Sequence, residues 1–64
     1  MITKSFLVYD DTDIYEIVHD GVMIIRILKY DQVLQKQSPL YFAQTPKNVQ
    51  EQIIDWMNKE NDDE

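Results

Sequence analysis

The chain has 64 residues, room for one domain and no more. Twelve Asp and Glu against six Lys and Arg give a net charge of −6, which argues against non-specific binding to nucleic acid or anionic membranes, since both require basic patches. With no cysteine and a single histidine, disulfides, thiolate metal sites and a multi-histidine zinc site are excluded.

A domain this small buries only ~60% of the surface its unfolded chain exposes, and small folds commonly gain support from a second subunit. A homodimer or a complex with another protein is therefore expected. The longest apolar run, Val22 to Ile25, is far too short to span a bilayer. The opening MITKSFLVYDD lacks the apolar h-region of a signal peptide, so a cytoplasmic location is expected. Residue usage favours Phe, Tyr, Met, Ile, Asn and Lys over Gly, Ala, Arg and Pro. That is the signature of AT-rich codons and points to a low-GC bacterium or its phage.

The elements follow in chain order. Ser5 to Tyr9, SFLVY, is rich in aromatic and β-branched residues and reads as a strand. Asp10-Asp-Thr-Asp13 is turn chemistry, because Asp and Thr side chains hydrogen-bond nearby amides. Ile14 to His19 is a second strand and Val22 to Tyr30 a third. The Asp20-Gly21 pair between them predicts a two-residue hairpin turn. That turn sets Ile17 opposite Ile24 and Tyr15 opposite Arg26. One face then carries Ile14, Val18, Met23, Ile25 and Ile27, with Glu16 its only charge. The other carries Tyr15, Ile17, His19, Val22, Ile24, Arg26 and Leu28. The first is the expected core face. Asp31 to Ser38 reads either as an extension of the third strand or as a loop. Leu40 to Phe42 is a short final strand.

Thr45 as N-cap and Pro46 at the first helical position predict a helix. Val49, Ile53, Trp56 and Met57 fall on one side of it, with Ile54 at the flank. Glu60 to Glu64 is expected as a short acidic, mobile tail, with carboxylates poorly placed at the negative end of the helix dipole. The predicted fold is α+β: a small antiparallel sheet of three to four strands with one C-terminal amphipathic helix on one face, and residues 1–59 forming the single domain.

One helix covers one face of such a sheet. The second face is more apolar than exposure to water predicts, so Tyr15, Ile17, Ile24, Arg26 and Leu28 are the expected protein-contact residues. Tyr and Arg are enriched at interfaces. Asp10, Asp11, Asp13 and Asp31 should cluster at one end of the sheet. They lack the spacing, the glycine and the distal Glu of a calcium loop, and suit a basic partner better than a metal. No cofactor is expected. His19 flanks a tight turn with no nucleophile arranged for it, and a catalytic pairing with Glu16 would require a cleft. The functional expectation is a small acidic, non-enzymatic protein-binding module acting as a regulator, inhibitor or adaptor. The alternatives are an acidic mimic of nucleic acid that inhibits a nucleic-acid-binding enzyme, and a small enzyme subunit using His19 and Glu16.

Overall fold

The computed structural model describes residues 2–11, 13–31, 33 and 35–62. It is an antiparallel meander of β1 (Lys4–Asp10), β2 (Asp13–His19), β3 (Ile24–Asp31) and β4 (Lys36–Leu40), in the order β1-β2-β3-β4. A short 3-10 turn at Phe42–Gln44 leads into the helix α1 (Lys47–Asp62). The α+β fold read from the sequence is the one observed. The helix backbone continues past residue 59, through Asp62, into the segment expected as a tail. Residues 63 and 64 lie outside the described residues.

Two stripes four residues apart explain how α1 docks. Side chains at i and i+4 stack on one side of a helix. Val49 and Ile53 are buried and Met57 is half-buried against the core. The neighbouring stripe, Asn48, Gln52 and Trp56, runs along β1. The Asn48 side-chain amide donates to the Asp10 carboxylate at 2.8 Å. Gln52 donates to the Tyr9 carbonyl at 3.2 Å. Trp56 stacks on Phe6, with ring centroids 5.1 Å apart. Trp56 thus remains 43% exposed, at the margin of the core rather than inside it.

The helix start also differs in detail. The Thr45 hydroxyl does not cap α1. It donates to the Phe42 carbonyl at 2.7 Å, and the Gln50 side chain donates to the Phe42 and Thr45 carbonyls at 3.1 Å each. The Pro46 carbonyl accepts the Gln50 amide at 3.0 Å. Phe42 belongs to the 3-10 turn, so the last strand ends at Leu40 rather than running through it. The Asp31–Ser38 segment divides. Asp31 closes β3, Gln35 takes a left-handed φ of 54°, and β4 begins at Lys36.

The principal correction concerns the β2–β3 hairpin. It is not a two-residue turn: Asp20 to Met23 separate the strands. The Asp20 carboxylate accepts the amides of Val22 at 2.9 Å and Met23 at 2.8 Å, and the Asp20 amide donates to the Met23 carbonyl at 3.2 Å. Gly21 takes φ +97°, a value that favours glycine. His19 then pairs with Ile24, while Val18 pairs with Arg26, so Ile25 is an extra residue in β3. Such a bulge sets two residues against one and shifts the alternation. With the same loop and no bulge, Arg26 would lie opposite Ile17, beneath the helix. The bulge turns Arg26 outward and brings Ile27 in.

The faces of β2 and of the loop end of β3 are therefore exchanged relative to the sequence reading, while Ile27 is in the core and Arg26 and Leu28 are on the opposite face as expected. The helix covers Tyr15, Ile17 and His19 with Ile24 and Ile27, and Val8, Val49 and Ile53 complete the core. Ile14 and Val18, expected in that core, lie on the other face. Met23 and Ile25, also expected there, are 65% and 49% exposed.

Candidate functional site

The open face follows from the register. Leu7, Glu16, Leu28 and Pro39 form one row across the four strands. Tyr9, Ile14, Tyr30 and Gln37 form the next. On the other side of the first row lie Ser5, Val18 and Arg26. A sheet face turned to water normally alternates with the core face as polar against apolar. This one carries aliphatic and aromatic groups across β1, β2 and β3, and no element among the described residues covers it. Leu7 and Tyr9 are 48% and 59% exposed.

Of the five expected contact residues, the structure brings Arg26 and Leu28 to this face. Tyr15 and Ile17 are not contact residues: both are fully buried under the helix. Ile24 is half-buried and packs against the core from the loop end of β3. Tyr15 and Ile17 lie on the face that α1 packs against, and the bulge leaves Ile24 with them while turning Arg26 and Leu28 to the open face. Leu7, Tyr9, Ile14 and Val18 take their place together with Tyr30, and sequence reasoning assigned none of the first four to the site. The alternation in SFLVY was visible, but without the pairing of β1 with β2 it had no face to join.

Arg26 and Glu16 are the only charged strand residues on this face, by alternation from the register. Among the described residues, neither side chain makes a hydrogen bond or an ion pair. Glu16 is nevertheless half-buried, between Leu7 and Leu28 in its row.

The acidic residues do gather at one end of the sheet. Asp10 pairs with Asp13 across the β1–β2 turn, and Asp31 ends β3 beside the start of β2. Their carboxylates are engaged locally. Asp10 accepts from Asn48, Asp13 lies 3.8 Å from the Lys29 ammonium, and Asp31 accepts the Val33 amide at 3.0 Å. Asp11 occupies the turn with φ 53°. Thr12, the other polar residue of that turn, lies outside the described residues. No group of three metal-ligating side chains is present among the described residues.

His19 and Glu16 do not form a site. They sit on opposite faces of β2. His19 is buried, its Nδ1 accepts the Gly21 amide at 3.0 Å, and its ring packs on Phe6 at 5.4 Å. With Nδ1 as acceptor, the neutral ring carries its proton on Nε2. Burial also sets the Tyr15 phenol, which is pushed above its ordinary pKa chiefly by desolvation. The other side of the helix leaves an apolar groove of about 430 Å³ lined by Val22, Ile24, Phe42, Ile53, Ile54 and Met57. Asn58 is its one polar wall. Among the described residues no helix is long and apolar enough to cross a membrane. No protein-family model, curated protein or solved structure matches the chain.

Proposed function

We propose that this protein is a non-enzymatic protein-binding module, a regulator, inhibitor or adaptor, whose contact surface is the open face of its sheet. The observation that carries this reading is the row structure of that face. Leu7 and Leu28 flank Glu16, and Tyr9, Ile14 and Tyr30 lie beside them, with no element above them among the described residues. A contiguous apolar surface left uncovered in this way, exposed at Leu7 and Tyr9 and half-buried at Ile14, Leu28 and Tyr30, suits an interaction site. Aromatic residues and arginine are the groups that dominate binding at such surfaces. The nucleic-acid-mimic reading draws less support, because Asn48, Lys29 and a backbone amide already occupy carboxylates of the acidic end.

The test uses a photo-crosslinking amino acid placed at Leu28, and separately at the exposed helix residue Glu51, in cells that produce the protein. A protein adduct from position 28 and none from position 51 supports the reading. Absence of any protein adduct from position 28 refutes it.

A further inference from the structure

We infer that the occupant of the open face is a second copy of this chain, docked about a two-fold axis that sets Glu16 of each copy against Arg26 of the other. The inference rests on the proposal that this face is a protein contact, and it names the partner. Three observations lead to it.

The first is charge. The chain carries a net −6, yet the open face holds one acid and one base and is locally neutral. The remaining charged strand residues, Lys4, Asp10, Asp13, Lys29, Asp31 and Lys36, alternate onto the helix side. Two copies approaching through any acidic region would repel. Through this face the charges at the contact itself do not oppose one another.

The second is self-complementarity. In a two-fold interface each patch meets itself, so residue i contacts j and j contacts i. Glu16 lies opposite Leu28, and Arg26 lies opposite Val18, on adjoining strands. They are diagonal neighbours near the middle of the face, ~7–8 Å apart, and unpaired within the chain. A two-fold axis passing between them forms both intermolecular pairs at once. Aliphatic groups surround the pairs and exclude water, which strengthens the attraction between opposite charges.

The third is area. Four strands ~4.8 Å apart and about six residues long at ~3.3 Å each give roughly 400 Å² of projected surface per copy. The accessible area of a face studded with side chains exceeds its projection. Two copies therefore reach the ~1,000 Å² that a specific interface needs.

Charge exchange tests the inference directly. The purified wild type, Glu16→Arg, Arg26→Glu and an equimolar mixture of the two variants are compared by light scattering over a concentration series. Circular dichroism confirms that each is folded. The wild type is expected to be a dimer. Each single variant puts like charges in both pairs and weakens self-association on the order of 100-fold or more. The mixture recovers a heterodimer, because one chain then presents arginine at both positions and the other presents glutamate at both. A pair formed within one chain would give no such recovery. A wild type that is monomeric throughout overturns the inference. So does a dimer that either single variant leaves intact. Should a variant fail to fold, isotope-filtered contacts between labelled and unlabelled wild-type chains decide the matter. Contacts from the Val18 and Leu28 methyls support it, and contacts only from other surfaces overturn it. A monomeric wild type that still yields a foreign-protein adduct at position 28 removes the second copy as occupant and leaves the binding-module reading standing. The absence of any adduct removes both.

Discussion

The bulge at Ile25 makes the pair Ile27→Ala and Ile25→Ala a sharp test of which residues hold this fold together. Ile27 is 2% exposed and pairs with Ile17, itself fully buried, at the centre of the sheet under α1. Truncating a buried isoleucine costs about 2–5 kcal/mol, the transfer term plus the cavity left behind. A domain of this length holds roughly 3–10 kcal/mol in total. At ~4–8 °C per kcal/mol, Tm should fall by about 8 °C at the least, and the variant approaches unfolding. Ile25 is 49% exposed, so about half of the ~1.5–3 kcal/mol for a fully buried aliphatic side chain is at stake. Its truncation should cost about 1 kcal/mol. Deleting Ile25 outright is also tolerated on this reasoning. His19 stays opposite Ile24, Val18 opposite Arg26, and every side chain keeps its face. Urea unfolding followed by Trp56 fluorescence is the assay, since that ring stacks on Phe6 and reports its loss. If Ile25→Ala costs as much as Ile27→Ala, or if the deletion unfolds the protein while Ile27→Ala is mild, the assignment of faces is wrong.

Two further predictions concern the hairpin loop. A Cβ added at Gly21 meets nothing within 4 Å, so Gly21→Ala creates no clash. Its φ of +97° still strains any other residue, and the variant should lose about 1–2 kcal/mol in urea unfolding. A neutral result would mean that the loop relaxes freely. The Asp20 carboxyl is held below its ordinary value of 3.8 chiefly by the Met23 amide and then by that of Val22. A carboxylate whose folded pKa is depressed contributes its stabilisation above the unfolded value and loses it as pH falls through the lower, folded one. An NMR titration should therefore place the Asp20 midpoint below 3.8. In Asp20→Asn that acid-side dependence should disappear, and a midpoint at or above the ordinary value would contradict the loop geometry.

Much of the architecture was legible locally. The Pro46 start and the Val49, Ile53 and Met57 spacing define a helix with one apolar side, because a 3.6-residue period is a property of the segment alone. The strands of SFLVY and Ile14 to His19, the turn at Asp10–Asp13 and the reversal at Asp20-Gly21 are equally local. The clustering of Asp10, Asp13 and Asp31 at one end followed from strand direction without any knowledge of register. The candidate site was only partly legible. Arg26 and Leu28 were placed on the face that is open, whereas Tyr15 and Ile17 were placed there but lie under the helix, for a reason that lies in two-residue periodicity. A strand assigns its residues to two sets without effort, but which set of β2 meets the helix depends on where α1 docks, a contact distant in the chain.

The class of fold, the polarity of the helix, the acidic end and the lack of thiols could thus be read from the residues alone. Each is fixed by residue type or by spacing within one segment. The tertiary structure decided the register of β3 against β2, and with it the identity of core and surface. Asp20 stretches the loop to four residues by holding two amides, and the Ile25 bulge then keeps the Arg26 guanidinium out of the core. Burying that charge unpaired would cost far more than one irregular pairing. That comparison joins a loop, a bulge and a helix distant in the chain, and only the assembled fold makes it.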